Sequence, residues 1–199
     1  GRENLITVLT RVVKEEVEWG EKTGGRFTPR YFELGFGGLR HETDASSNRQ
    51  PLVLAADDVL PAGPPLKLWG KIDRVDTDRA GNFIVYDYKT GRPPSQAEIV
   101  SGKRLQLPLY LLAVSRLFLP EGEPMGAAYY SLQPTNRLRG IWHQKAQAFG
   151  IKNRNTLTDE AWAETLERAV TEALQSYYAI LEGAFPFCPP KMCPSYCEF

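Results

Sequence analysis

The sequence lacks cysteine over its first 187 residues and carries no excess of either charge. Twenty-four Lys and Arg residues balance 24 Asp and Glu residues, which excludes a generally basic nucleic-acid coat and leaves room only for a local basic patch. No apolar run approaches the ~20 residues that a membrane-spanning helix needs. No basic start followed by an apolar run opens the chain as a targeting signal. We therefore expect a cytoplasmic protein with no membrane partner.

The length of 199 residues suits one domain with its own core, 1–199. Because the chain opens with Gly1 rather than Met, we expect it to be a piece of a longer protein. All of its cysteines, Cys188, Cys193 and Cys197, fall in a C-terminal tail, 184–199. An odd number of thiols cannot pair completely, so the cluster indicates metal or iron–sulfur ligands with a fourth ligand elsewhere. A tail of reduced thiols fits the spacing nearly as well.

Hydrophobic periodicity predicts three main helices. Apolar residues three and four positions apart form one stripe of a helix over residues 5–19. A strongly apolar helix is predicted over 104–117, with Pro108 in its first turn, where the missing N–H costs least. Thr158 caps a third helix that extends to about residue 182. Ser95 with Glu98 three residues on has the capping-box pattern, which predicts the start of a helical turn. The polar stretch 134–157 is predicted to be an insertion or a loop.

The clearest β signal is a hairpin formed by residues 66–76 and 83–90. A three-residue loop with Gly81 in the left-handed position pairs Asp78 with Asn82. Counting back along both strands then places Asp73 opposite Asp87. Side chains alternate along a strand, so Asp73, Asp87 and Lys89 share one face in this register. A two-residue loop would turn Asp73 to the other face.

Two carboxylates that face each other across a strand pair repel, and the repulsion must be compensated. Mg²⁺ compensates it naturally, because it prefers one or two carboxylates together with water and phosphate oxygens. Lys89 lies where its ammonium group could orient a water molecule or offset phosphate charge, and together these parts indicate metal-assisted phosphodiester hydrolysis. The alternative is an exposed hairpin face with a local Asp–Lys network. The apolar second strand favours the metal, because unpaired carboxylates there are costly.

Three motifs occur together in this order: Gly-x-Ile-Asp-Arg-Val-Asp from Gly70, Val-x-Asp-Tyr-Lys-Thr-Gly from Val85, and Gln-Leu-Pro-Leu-Tyr-Leu-Leu-Ala from Gln106. The combination resembles the RecB-like branch of the PD-(D/E)XK nuclease superfamily, and most closely the nuclease domain of AddB-type helicase–nuclease subunits. The resemblance implies an α/β, restriction-endonuclease-like core in which a central mixed β-sheet is flanked by helices. It also implies an exonuclease-like deoxyribonuclease dependent on Mg²⁺ (or Mn²⁺), acting in DNA end processing and recombinational repair.

The resemblance also assigns residues. Asp73 matches the first metal-binding aspartate, Asp87 matches the acidic residue of the second motif, and Lys89 matches its lysine. The backbone carbonyl of Tyr88 would complete the metal shell. The polar pair on the following helix corresponds to Gln106 and Tyr110. Lying four residues apart, these two share one helix face.

The family places a catalytic His or Glu upstream of the hairpin. Glu33 is our preferred candidate within the chain, ahead of Glu15 and Glu16, and the family's own His is expected to precede Gly1. His41 and His143 lie in polar stretches and are expected to be surface residues. In AddB-like members a [4Fe–4S] cluster joins one early and three late cysteines. Cys188, Cys193 and Cys197 would be the late ligands, although their spacing departs from the usual one and no early cysteine is present.

The segment 67–104 carries eight basic and five acidic residues. This excess supplies the local basic patch that a chain of zero net charge needs in order to bind a phosphate backbone. We expect DNA contacts from Arg74, Arg92, Lys103 and Arg104. Nothing indicates base-edge readout. The resemblance implies single-stranded DNA delivered by a helicase region of the same chain or by a helicase partner subunit. Two alternatives stay open: a catalytically inactive DNA-binding or scaffolding module, and a non-nuclease domain whose acidic pair is solvated.

Overall fold

The computed structural model describes residues 2–38, 44–55, 63–132, 135–153 and 155–184. Within these ranges the chain forms four α-helices, eight strands and one 3₁₀ segment at Gln144–Phe149. The helices are α1 (Arg2–Lys22), α2 (Gln96–Val100), α3 (Gln106–Leu117) and α4 (Asp159–Leu181). The strands are β1 (Thr28–Phe36), β2 (Leu52–Leu54), β3 (Leu66–Leu68), β4 (Gly70–Thr77), β5 (Phe83–Lys89), β6 (Pro124–Leu132), β7 (Thr135–His143) and β8 (Thr156–Leu157).

Six strands form one mixed sheet in the order β1-β4-β5-β6-β7-β8, and β2 pairs with β3 separately. The β5/β6 and β7/β8 pairs are parallel, and the other neighbours in the large sheet are antiparallel. Parallel neighbours need a crossover connection, which α2 and α3 provide between β5 and β6. The predicted α/β fold with a central mixed sheet is confirmed.

Apolar cores lie on both faces of the sheet. On one face, Leu111 of α3 and Leu174 of α4 pack with inward-facing sheet residues such as Val85. On the other face, Trp19 of α1 packs with Tyr86 and with neighbouring aromatic side chains. Helices therefore cover the sheet from two sides, which fixes the two faces of β4 and β5 in different environments.

The first helix forms as predicted, and it is longer than the apolar stripe indicated. The stripe is only partly buried: Leu5, Leu9, Val13 and Val17 are 54–62% exposed, whereas Val12 packs against the aromatic core beneath the helix. Beside Val12, contact with the sheet comes from the buried Trp19 and from the ion pairs of Glu15 and Glu16. The pattern predicted the helix, and Trp19 and these ion pairs set its orientation.

The prediction of a loop over 134–157 is wrong. This stretch contains β7, the 3₁₀ segment and β8. The arginines of β7 are charged residues typical of a loop, but Arg137 is buried in the folded chain. It is only 1% exposed, and its guanidinium lies 4.7 Å from the centre of the Tyr130 ring. The expectation for His143 is also wrong: it is buried, its Nε2 lies 2.8 Å from Asp159 Oδ1, and its ring packs at a tilt against Trp162, with the ring centres 5.1 Å apart.

Local capping signals are confirmed. Ser95 and Glu98 form a reciprocal capping box at the start of α2. Thr158 caps α4 by accepting a hydrogen bond from the backbone N–H of Ala161. Pro108 lies in the first turn of α3, where the helix does not require its N–H.

Candidate active site

The turn between β4 and β5 sets the register of the site. Asp78 N–H donates to the Asn82 carbonyl at 2.9 Å, and Gly81 adopts φ +88°. The ladder runs from Thr77 opposite Phe83 to Arg74 opposite Tyr86. This is the predicted three-residue loop, and one further step along both strands brings Asp73 opposite Asp87.

The two hairpin strands stop pairing at the point where these acids occur. The β4/β5 ladder ends at Arg74 and Tyr86, whereas β5 continues to pair with β6 as far as Lys89. Beyond the end of the ladder the backbone N–H of Tyr88 donates to Asp73 Oδ2 at 2.8 Å. A carboxylate thus takes the place of a strand partner, and this places Asp73 beside the end of β5.

Asp87 is surrounded by the other predicted site residues. It is 4% exposed, and its Oδ1 accepts a hydrogen bond from Gln106 Nε2 at 2.7 Å. Lys89 Nζ lies 2.7 Å from Asp87 Oδ2 and donates to Gln106 Oε1 at 3.4 Å. Gln106 Nε2 also lies 3.4 Å from the Tyr110 hydroxyl. The first turn of α3 therefore brings Gln106 and Tyr110 to the acid–lysine pair of β5.

The acids of the site are short of positive charge. Burial raises the pKa of Asp73, and the negative charges of Asp87 and Glu33 raise it further, against the hydrogen bond from Tyr88. Burial also raises the pKa of Tyr110, with contributions from the same aspartates. The charged form of Asp73 is therefore disfavoured in the metal-free chain, as expected for a carboxylate that needs a cation.

Glu33 joins the same corner of the sheet from β1. Register pairs Phe32 with Arg74 and Leu34 with Ile72, so Glu33 lies opposite Asp73. Its φ of +53° is the one positive value at a non-glycine residue among the described parts of the chain. Such a conformation is strained for a side chain with a Cβ and clusters at functional sites. Its carboxylate forms an ion pair with Lys71, a partner that the sequence analysis did not identify.

The acids of α1 lie on the other face. Glu16 Oε1 lies 2.7 Å from Arg74 Nη1 and 2.6 Å from Arg137 Nη2, and Glu15 lies 3.4 Å from Arg137. Burial opposes ionisation of Glu16, but the hydrogen bonds and charges of Arg74 and then Arg137 lower its pKa overall. Neither Glu15 nor Glu16 takes the place of an upstream catalytic acid beside Asp73.

The prediction that Arg74 contacts DNA is corrected. Adjacent residues on a strand point to opposite faces, so Arg74 faces away from Asp73. Its side chain is buried and engages both Asp76 and Glu16 through paired hydrogen bonds. It belongs to a buried charge network beneath α1, and it is not available to a phosphate.

Other predicted DNA contacts lie at the surface. Arg92, Lys103 and Arg104 are exposed, and Arg104 Nε lies 3.7 Å from Glu98. His41 and the cysteines Cys188, Cys193 and Cys197 lie outside the described residues. Within the described ranges, no helix is long and apolar enough to cross a membrane.

The donor set around Asp87 fits a hard divalent cation. In the described part of the chain, no group of three or more His, Cys, Asp and Glu side chains has the arrangement of a metal site. Two carboxylates and the Tyr88 carbonyl are nevertheless the oxygen ligands that Mg²⁺ takes together with water and phosphate. Asp87 Oδ2 is buried without an aligned hydrogen bond from any described residue, although the Lys89 ammonium is near. That oxygen can accept a metal.

Comparisons with known proteins agree with this geometry. A family model for the PD-(D/E)XK nuclease superfamily matches residues 2–199. Among curated proteins, an ATP-dependent helicase/deoxyribonuclease subunit of Clostridium kluyveri is 34% identical over 140 residues, covering 66% of this chain and 11% of that protein. The protein of the same name from Desulforudis audaxviator is 38% identical over 117 residues, covering 54% of this chain and 9% of that protein.

A third protein of this name, from Exiguobacterium sibiricum, is 29% identical over 140 residues, covering 66% of this chain and 11% of that protein. This chain spans about one tenth of the length of the curated relatives that it matches. The match to the family model extends over nearly the whole chain, from the first helix through both strands of the acidic hairpin. The chain belongs to the PD-(D/E)XK nuclease superfamily.

Proposed function

We propose that this chain is the metal-dependent DNA nuclease domain of a helicase–nuclease, which hydrolyses phosphodiester bonds during DNA end processing and recombinational repair. The observation that carries the proposal is the convergence of Asp73, Asp87 and Lys89 where β4 and β5 separate. The relatives are named helicase/deoxyribonuclease subunits, which supports DNA as the substrate and a helicase as the partner. An exonuclease-like action on single-stranded DNA suits a strand delivered by a motor.

The carboxylates of Asp73 and Asp87 and the carbonyl of Tyr88 would hold Mg²⁺ or Mn²⁺, with Glu33 as a further oxygen donor. A bound divalent ion lowers the pKa of a water molecule and neutralises charge that develops on the phosphate. The protein's own contribution is positional. The hydrogen bond from Tyr88 fixes Asp73, and burial keeps bulk water from Asp87.

Lys89 acts beside the scissile phosphate in this proposal. Its ammonium is held between Asp87 and Gln106, and it lies 5.5 Å from the centre of the Tyr129 ring. A substrate phosphate competes with Asp87 for this cation, so the ammonium group can turn to orient the attacking water or to stabilise a phosphoryl oxygen.

Gln106 serves as a positioning residue. Its amide N–H donates to Asp87 and its carbonyl accepts from Lys89, so one side chain fixes the relative orientation of the Asp87 carboxylate and the Lys89 ammonium group. Tyr110 supports Gln106 from one helical turn further along α3. Both residues act through the groups that would bind metal and phosphate.

Substitution of the acids tests the proposal. We expect Asp73→Asn and Asp87→Asn to lower Mg²⁺-dependent cleavage of single-stranded DNA by about 10²-fold or more, the scale on which lost transition-state stabilisation is measured. Asp78→Asn is the matched control, because Asp78 lies at the far end of the same hairpin and one oxygen, which Asn retains, accepts both of its backbone hydrogen bonds; only the bond from the Asn82 side chain is lost. Cleavage by both site variants at the parental rate, with an unchanged circular dichroism spectrum, would reject the assignment.

A second candidate function is a DNA-binding or scaffolding module that does not cut. One observation favours it: the Lys89 ammonium already partly neutralises Asp87 in the metal-free chain. Calorimetric titration with Mn²⁺ separates the two functions. A nuclease binds Mn²⁺ with a heat that Asp87→Asn abolishes, whereas an inactive module binds DNA equally well with and without the ion and shows no such heat.

The iron–sulfur cluster is a separate part of the proposal and rests on Cys188, Cys193 and Cys197. A [4Fe–4S] cluster in the intact protein would act as a staple between distant parts of the chain, not as a redox centre. Iron content and visible absorption of the intact protein, purified without oxygen, test it. Substituting Cys193 by Ser should remove both signals if the cluster is present.

A further inference from the structure

A cavity of about 370 Å³ lies beside the end of β5, immediately after Lys89. Its lining includes Arg92 from the loop after β5, Ser131 from β6, and Asn136 and Arg139 from β7. We propose that this cavity binds a phosphodiester group of the substrate strand adjacent to the one that is cut. The inference rests on the proposed function and names a second subsite within it.

Register places the cavity on the same face of the sheet as the acids. Ser131 pairs with Lys89 across β5/β6, and Arg139 pairs with Tyr129 across β6/β7. Paired residues share a face, and Lys89 itself lies against the Tyr129 ring. Neighbouring strands are about 4.8 Å apart, so β7 lies roughly 10 Å from β5. A flexible nucleic-acid strand that crosses the strand ends can reach both places.

The chemistry of the lining suits an anion. The described residues that line the cavity include two guanidinium groups and no carboxylate. Neither Arg92 nor Arg139 forms an ion pair with a described acid, and Arg139 Nη1 is held 3.4 Å from the Pro93 carbonyl. Arginine binds phosphate oxygens through two parallel N–H donors, with a fixed fork geometry that lysine lacks.

An unused buried hydroxyl points to a ligand independently of the charges. Ser131 is 3% exposed, and its Oγ has no hydrogen-bond partner among the described residues. A buried polar atom without a partner is unfavourable, and each such atom calls for an explanation. A phosphate oxygen in the cavity would accept a hydrogen bond from the Ser131 hydroxyl group, and the phosphate would contact both guanidinium groups.

The proposal predicts the path of the DNA strand across the sheet. Acidic residues lie on β1, β4 and β5, where a bound metal would neutralise one phosphate, and the two arginines of the cavity lie in the loop after β5 and on β7. A strand held at both points has its scissile linkage aligned by the neighbouring phosphate, which reduces the freedom lost when the reacting groups meet. Arg139 would therefore act by binding and positioning the strand, without touching the reacting atoms.

Binding of a fluorescent single-stranded oligonucleotide to the full 199-residue chain tests the proposal. Binding is measured by fluorescence anisotropy in EDTA, because the chelator removes divalent metal and so prevents metal-dependent cleavage. We expect Arg139→Gln to weaken binding about tenfold and to reduce the slope of log K against log salt by about one. The matched control is Arg79→Gln, because Arg79 lines another cavity, of about 410 Å³, at the far end of the β4/β5 hairpin. That control should bind within about twofold of the parent, since a surface charge makes no specific contact.

A scan with single neutral methylphosphonate linkages identifies the phosphate. The parent should lose affinity most strongly at one linkage position, and Arg139→Gln should be insensitive at that same position. Ser131→Ala, which leaves both guanidiniums in place, should reduce the sensitivity in part. Equal effects of Arg139→Gln and Arg79→Gln, sensitivity of Arg139→Gln at the same position, or no binding by the folded parent would each overturn the proposal.

The two proposals fail separately. If the parent shows Arg139-dependent recognition of one phosphate and yet no Asp87-dependent cleavage, the subsite stands and the nuclease assignment falls. If cleavage depends on Asp87 and Arg139→Gln changes neither the dissociation constant nor KM, the nuclease assignment stands and the subsite is wrong.

Discussion

The Asp73 carboxylate accepts the backbone N–H of Tyr88 at 2.8 Å, at the point where β4 and β5 stop pairing. This contact holds an acid in place by a bond normally made between strands. It satisfies the Tyr88 N–H, which would otherwise lose a partner as the strands separate. The same bond holds the Asp73 carboxylate beside Tyr88, whose carbonyl is the other ligand proposed here, before any ion arrives.

Replacement of Asp73 by Asn should stabilise the metal-free chain at neutral pH. Because burial and neighbouring carboxylates raise the pKa of Asp73, the folded chain binds a proton there more tightly than the unfolded chain does. The contribution of this group to stability is present below its unfolded pKa, about 3.9, and is lost as pH rises through the higher folded value. Scanning calorimetry in EDTA should give a higher Tm for Asp73→Asn at pH 7 and no advantage at pH 3.

The Asn side chain in this variant keeps an oxygen for the Tyr88 N–H, so the comparison isolates charge. Asp78→Asn supplies the control, because Asp78 lies in the turn away from the acids. A Tm for Asp73→Asn that lies below the parent at both pH values would contradict the electrostatic explanation.

Mg²⁺ should stabilise the parent more than a variant that lacks one of the proposed metal-binding carboxylates. A ligand that binds only the folded chain stabilises it by about 2.7 kcal/mol at one hundred times its Kd. We expect this gain for the parent and for Asp78→Asn, and little gain for Asp87→Asn. Thermal unfolding across a series of Mg²⁺ concentrations measures it. A concentration-dependent rise of equal size in all three proteins would indicate binding elsewhere.

Gln106→Leu should lower the cleavage rate without unfolding the chain. Gln106 is half-buried, and Leu preserves its volume while removing both the hydrogen bond to Asp87 and the bond from Lys89. Loss of a group that orients a ligand of the metal costs about 10- to 100-fold in activity. Single-turnover cleavage at saturating DNA is the measurement. Tyr110→Phe is the comparison variant, and its longer contact predicts a smaller loss.

Glu16→Gln should destabilise the fold through its two arginine partners. The loss should be about 1.5 to 3 kcal/mol, the range for hydrogen bonds to charged groups, because Arg74 keeps Asp76 and Arg137 keeps Glu15 when Glu16 is removed. Arg74 and Arg137 are buried on this face. Urea unfolding at pH 7 measures the loss. Glu18→Gln is the control on the same helix: its pair with Lys22 is more than half exposed, so its effect should be below about 1 kcal/mol.

The contributions of Glu16 and Asp73 to the stability of the fold change with pH in opposite directions. The arginines lower the pKa of Glu16, so its contribution to stability is present above its unfolded pKa and is lost as pH falls through the lower folded value. The difference between the parent and Glu16→Gln should therefore shrink toward pH 2 to 3, where about 95% or more of ordinary Glu carboxylates are protonated. A difference that stays constant with pH would mean that Glu16 acts by packing alone.

Gly81→Ala tests the turn that sets the register. The nearest atom to an added Cβ is 3.9 Å away, so the penalty comes only from the φ of +88°. A left-handed conformation costs an L-residue about 1 to 2 kcal/mol. Gly91→Ala, with open space and no positive φ, should change the free energy of unfolding far less. Equal effects in chemical denaturation would contradict the role of Gly81.

The hairpin was predictable because its information is local. Gly81 and Asp78 define the turn, the turn defines the register, and the register brings Asp73 opposite Asp87. Helix caps at Ser95 and Thr158 are local in the same sense. In contrast, β7 was not predicted, because a charged residue such as Arg137 is typical of a polar loop. Arg137 is buried only because it pairs with Glu16, which is distant in the sequence.

The sequence by itself determined the turn that fixes the acidic hairpin and the positions of the helix caps, since each depends on residues a few places apart. The fold class followed from the resemblance of three sequence motifs to a known family. Only the tertiary structure decided that Arg74 faces the helix α1 and Asp73 faces α3, and that Ser131 and Arg139 lie beside Lys89. These relations join residues separated by tens of positions through parallel pairing and buried charge. Their free energy arises only when the whole sheet has formed.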